Sequence, residues 1–361
     1  MTGETDYELD GQNLKEPNAY FGAFRIKRKI FENSSIGVLF VTKNSDTGTN
    51  SVFDIDGAFR DSDWQLAYQL AASLKNSKTD FAFSTGFRKF TKSWGTLYKM
   101  RGIGKNFDVS EIGFVPWRGT FSSSLVSGPL FIYDEGHISN IFIYTGANIN
   151  YEDEDLHYDR AFILGLSTSM RNGWGFEINI LSGKSKDNSI IYNSLDLSLS
   201  SWINVSQNWS ANFWSGYSNT YNFRRGYLAF YSWFGSRFSI RPYDFLNFGS
   251  SFEMFVEGNP SNKIEDITFT SRPFISLTPI NNFNLRLYVD NLYLKSSDKL
   301  ERLIVGFLFS WNFSAKSWIY LAINELKSRT NELDEFNNII LSRLTTVDRV
   351  GVFKIKYLYY F

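Results

Sequence analysis

The chain has 361 residues, with 37 Lys and Arg balanced by 37 Asp and Glu, two His and no Cys. Zero net charge leaves no basic footprint for nucleic acid, and the lack of Cys excludes disulfides, thiol nucleophiles and thiolate metal sites. With only His137 and His157 a multi-histidine metal centre is excluded as well, and no motif calls for a cofactor.

Aromatic residues make up 18% of the chain, yet apolar runs such as Ile304 to Phe309 stop after a few residues. A membrane-spanning helix needs roughly 20. Met1 to Glu8 is acidic and polar, with neither a basic nor an apolar leader region. Residues 1–18 read as a polar loop segment, and from there the period is two. Tyr20, Phe24 and Ile26 alternate with Arg25 and Lys27, and Trp174, Phe176, Ile178 and Ile180 with Glu177 and Asn179. Further on, Phe283, Leu285, Leu287 and Val289 alternate with Asn284, Arg286 and Asp290. Leu303 to Phe313 and Phe353 to Phe361 behave alike, the last with Lys354 and Lys356 between. Such alternation puts one set on each face of a strand.

Strands are expected near 19–30, 35–44, 50–60, 63–74, 80–90, 94–103, 119–132, 137–149, 158–169 and 173–183. Nine more are expected near 190–202, 207–218, 228–240, 244–256, 266–279, 283–295, 301–313, 317–326 and 348–361. Segments of about 10 alternating residues are the mark of a membrane barrel, whereas soluble strands run to about 5–6. No blade-length repeat suggests a propeller. Trp94, Trp117, Trp202, Trp209, Trp311 and Trp318 fall at strand ends, where interfacial girdles lie. The fold expected for residues 19–361 is therefore an all-β, antiparallel transmembrane outer-membrane barrel of about 18–20 long strands. Its partners are outer-membrane lipid and lipopolysaccharide.

Short connections, as at Phe31–Ser34 and Met170–Asn172, alternate with long polar ones at Asn44–Thr49, Gly104–Arg118, Asn150–His157, Lys184–Ser189, Glu257–Asp266 and Lys327–Val347. The short side is periplasmic. On that rule the first and last strands both descend, and bacterial single-chain barrels are normally even-numbered. The expectation is that N-terminal strands of a larger barrel, and a longer precursor, lie upstream.

Cations cost roughly 2–4 kcal/mol on the lipid face at the midplane. Arg25, Lys27, Lys29, Glu177, Arg286, Asp290, Lys354 and Lys356 are thus the lumen-facing candidates, with a basic wall that favours anionic solutes. Gly104–Arg118 and Lys327–Val347 are the candidate constriction or receptor loops. Glu152, Asp153, Glu154, Asp155 and His157 form a carboxylate-rich loop with one imidazole, which a calcium-binding or acid–base reading has to contend for against a plain solvated loop.

Phe24 to Gly37, Gly104 to Arg118 and Val352 to Phe361 resemble, in this order, the C-terminal barrel of a family of large bacterial outer-membrane proteins of unknown function. Members of that family carry an N-terminal domain similar to family-nine carbohydrate-binding modules, and Thr2 to Thr5 looks like a loop following one of their earlier strands. The resemblance implies a glycan association. Tyr357, Tyr359 and Phe361 look like the signal read by the barrel assembly machinery. The functional expectation is a pore, transporter or export platform, with a glycan-handling barrel anchor and an outer-membrane hydrolase using His157 as alternatives.

Overall fold

The computed structural model describes residues 6–9, 12–15, 18–46, 48–115, 117–333 and 339–358, with side chains described over 18–46, 48–115, 117–204, 206–330 and 342–358. Among these residues there is no helix. The first strands are β1 Asp6–Leu9, β2 Gln12–Lys15, β3 Ala19–Ile30, β4 Ser34–Ser45, β5 Gly48–Arg60, β6 Trp64–Lys75 and β7 Lys78–Phe90. Next come β8 Trp94–Ile103, β9 Thr120–Ile132, β10 Ile138–Glu152, β11 His157–Met170, β12 Trp174–Asp187, β13 Ile190–Ser206 and β14 Trp209–Asn222. The last are β15 Tyr227–Tyr243, β16 Leu246–Gly258, β17 Ile264–Leu277, β18 Phe283–Leu294, β19 Lys299–Ser314, β20 Ser317–Leu333 and β21 Ile339–Lys356. β1 and β2 pair in a small separate ladder inside the segment expected to be loop. The strand order from β3 to β21 is that of a closed barrel in which each long strand neighbours the next.

By contacts the chain divides into two compact units. The first comprises Met1–Ile132, Ile141–Leu166 and Leu181–Ser194, and the second Tyr133–Asn140, Ser167–Ile180 and Leu195–Phe361. In the first, register carries Ile26 to Val38, Ile55, Leu70 and Phe83 along one face. The row one residue away runs Lys27, Gly37, Asp56, Gln69, Ser84 and Arg101. In the second unit Ile240, Phe248, Ile275, Leu287, Phe307 and Ile323 share a row. Each unit is therefore a sheet with one apolar and one polar face, the arrangement that the alternation dictates.

The hairpins correct the expected loops. Asn76–Ser77 and Asn188–Ser189 each have positive φ at both positions, the requirement of a two-residue type I′ turn. The acidic loop shrinks to Asp153–Leu156, because β10 extends to Glu152 and β11 starts at His157. Lys327–Val347, expected to be a long loop, is mostly strand: the β20–β21 ladder continues from Lys327↔Thr346 to Leu333↔Ile339. Above the apolar band both faces of a strand meet water, so polarity there does not signal the strand's end. Gly104–Arg118 remains a true loop between β8 and β9.

Candidate functional site: the polar face

On the polar face of the first unit Arg25 forms ion pairs with Asp56 and, at 3.9 Å, with Asp54. Lys27 and Lys29 share that face by register, as do Lys99 and Arg101 on β8. A concave region of about 800 Å³ lies over this wall, lined by Arg25, Asp54, Asp56, Gln69, Lys99 and Arg101 among others. Sequence reasoning had named Arg25, Lys27 and Lys29 but missed the rest. Their signal was present in the same form, Asp54 and Asp56 alternating with Phe53 and Ile55, and Lys99 and Arg101 with Tyr98 and Met100.

The loop after β8 folds onto the same face. Asn106 N–H donates to Asp80 Oδ2 at 2.7 Å, and Asp108 N–H to Ser73 Oγ at 3.0 Å, while Phe107 is buried. Arg118 reaches Asp108 at 2.9 Å, Lys75 reaches it at 3.4 Å, and Lys43 holds Glu111 at 3.1 Å. Lys43, Ser73, Lys75 and Asp80 all belong to polar rows. Burial alone would raise the Asp108 carboxyl. Hydrogen bonds from the Ser110 backbone and hydroxyl, with Arg118 and Lys75, outweigh it and hold the group well below the usual carboxylate range.

In the second unit Asp290, largely buried, pairs with Arg272. Arg286 lies 4.1 Å over the Phe274 ring, and Arg272 lies 5.7 Å over Tyr288, both within the cation–π range. Tyr288 Oη donates to Asn324 at 2.9 Å. Lys354 stands opposite Tyr320, and Lys356 opposite Trp318, on the face that carries Arg286. Glu177 accepts a hydrogen bond from Asn179 at 3.1 Å. Trp214 and Trp233 sit opposite Gly235 and Gly216. Each ring lies flat where the glycine has no side chain: a Cβ on Gly235 would fall 2.0 Å from Trp214, and one on Gly216 2.2 Å from Trp233.

Two sequence candidates are not assembled into a site. His157 Nε2 lies 4.0 Å from Asp159 Oδ1, beyond the reach of a general-base hydrogen bond, and that oxygen instead accepts the Lys186 N–H at 2.9 Å. The Asp155 N–H closes the turn onto Glu152 O while the Asp153 N–H donates to Gly119 O ahead of β9, and among the described residues no three acidic or imidazole groups converge as metal ligands. Tyr357 stacks on Phe313 at 6.4 Å; Tyr359 and Phe361 lie outside the described residues.

No family model matches the sequence, and no curated protein matches it. Among solved structures the chain is similar to the ferric enterobactin receptor PfeA of Pseudomonas aeruginosa in complex with enterobactin, at 10% identity and a TM-score of 0.58 over 97% of this chain and 71% of that one. It is also similar to the siderophore receptor PirA of Pseudomonas aeruginosa, at 7% identity and a TM-score of 0.51 over 86% and 69%. At such identities the likeness is one of fold. The chain is an integral outer-membrane β-barrel protein.

Proposed function

We propose that the polar face lines the lumen and that the protein is a solute pore or transporter, narrowed by the loop of residues 104–118. The observation that carries this is the loop's ion-paired seat on the polar rows at Lys43, Ser73, Lys75 and Asp80. A segment folded onto a water-filled wall reduces the bore, whereas a receptor loop would stand clear of it. The siderophore receptors share the fold, and large barrels of that kind are plugged while smaller porins are open. Refolded protein in planar bilayers is expected to give steady conductance that rises when residues 106–115 are replaced by a short Gly-Ser turn. Folded protein that stays silent with and without the loop would overturn the reading.

A second reading, a barrel that serves glycan handling, is favoured by the flat, half-buried Trp214 and Trp233 rings on the polar face of the second unit, since an indole face stacks on the C–H side of a sugar. Quenching or shifting of tryptophan fluorescence by oligosaccharide, lost in Trp214→Ala, would support it. An unchanged spectrum at saturating oligosaccharide would remove it.

A further inference from the structure

We propose that the polar wall between β3 and β8 is a binding station for polyvalent oxyanions, that is, solutes bearing two or more phosphate or carboxylate groups. It rests on the reading of this face as the solute-bearing one. Two adjacent rows carry the argument. One runs Lys27, Gly37, Asp56, Gln69, Ser84 and Arg101; the next runs Lys29, Ser35, Ala58, Ala67, Gly86 and Lys99. In both, the long cationic side chains stand only at the ends, and apart from Asp56 and Gln69 the positions between are Gly, Ala or Ser. A polar wall with no task beyond meeting water has no need of so small a floor. Arg25 lies over Gly37, and the small residues Ser35, Ala58, Ala67, Ser84 and Gly86 line an open concavity of about 800 Å³ bordered by Lys27 on one flank and Lys99 and Arg101 on the other.

The charges inside it do not cancel. Arg25 engages both carboxylates, Asp54 and Asp56, and with Lys27, Arg60, Lys99 and Arg101 also in the lining the cations outnumber these two anions. Lys27, Lys99 and Arg101 have no ion-pair partner among the described residues. Gln69, Ser84 and Ser122 add hydrogen-bond donors on the floor. At about 4.8 Å per strand the flanks are roughly 24 Å apart along the wall, a gap that long side chains reduce from both sides. A monovalent anion meets one flank at a time; a solute with several anionic groups meets both, and that is where the selectivity for polyvalent anions arises.

The test is calorimetric titration of the refolded full chain in detergent with inorganic tripolyphosphate, alongside bilayer recordings on the same preparation. Saturable binding is expected, weakened at least tenfold in Lys99→Gln/Arg101→Gln and unchanged in Lys263→Gln on the β16–β17 turn. Lys27→Gln probes the other flank if the double variant does not fold, and a several-fold loss is expected there. Absent binding, or binding indifferent to these substitutions, overturns the proposal. Conductance without tripolyphosphate binding defeats the station and leaves the pore standing. Binding in a barrel that never conducts keeps the station and defeats the pore.

Discussion

Asp108 and Gly235 show how single positions set the behaviour of this barrel. Asp108 is the hub of the loop after β8, with Lys75 and Arg118 on one oxygen and the Ser110 N–H on the other. Because its folded pKa is depressed, its contribution is complete above the ordinary carboxylate pKa of about 3.9. That contribution is lost only as pH falls through the lower, folded value. Proteolysis between residues 104 and 119 is therefore expected to be as slow at about pH 4.5 as at neutral pH, since both lie above the unfolded value. In Asp108→Asn the charge-assisted bonds weaken by about 1–2 kcal/mol, the Arg118 partner being half-exposed. Faster cleavage and noisier conductance at neutral pH are expected, and an unchanged cleavage rate would show that the loop is held by its other bonds, Lys43 to Glu111 and the Asn106 N–H to Asp80 among them. Gly235 acts by absence. In Gly235→Ala the new methyl group would occupy the space of the Trp214 ring, and overpacking of this kind costs about 1–3 kcal/mol. The measurable result is a lower denaturant midpoint for unfolding from micelles, which Ser236→Ala on the same strand should not reproduce.

At the scale of the strand, the period of two was legible because lipid on one side and water on the other impose it residue by residue. The rows of Ile26 and of Leu287 could be written down from the sequence before any pairing was known. Register and strand length could not. Parity separates the faces of one strand, but nothing local says that Arg25 will meet Asp54 and Asp56 two strands away. The tryptophans show the same limit. Trp94, Trp209 and Trp311 share the apolar face, as a girdle requires, but Trp318 pairs into the row of Lys356, and Trp202 covers Gly175. Strand-end position alone does not distinguish a lipid anchor from a ring that fills a glycine gap. The two faces make a direct test possible. Leu287→Arg, in mid-strand on the apolar face, is expected to destabilise by about 2–4 kcal/mol, whereas Thr270→Arg, opposite Glu253 on the polar face, should be nearly neutral. Equal effects on the unfolding midpoint would mean that the faces have been assigned the wrong way round.

For the whole molecule, the class of fold was evident from strand number and length, and nineteen consecutive neighbours now stand where nineteen alternating segments were counted. The candidate site was legible only in outline. The cations were visible, but their counter-charges, the inward seat of the loop and the small-residue floor exist only once six strands are in register. The end of the β20–β21 ladder has a different significance. β19 accompanies β20 as far as Ser328, and beyond it the β20–β21 ribbon continues, rooted by Arg329, whose guanidinium donates to Leu300 O at 2.7 and 2.9 Å and to Ser342 Oγ at 3.1 Å. Five further residues of strand add about 17 Å of reach at the usual rise, on the side of the longer connections. The ribbon acts as a mast. If that side faces out of the cell, as the longer connections do in barrels of this kind, a large particle settling on the membrane would touch it before reaching the barrel rim. The ribbon and the wall between β3 and β8, where the proposed solute would bind, would then be built from different strands, free to change independently.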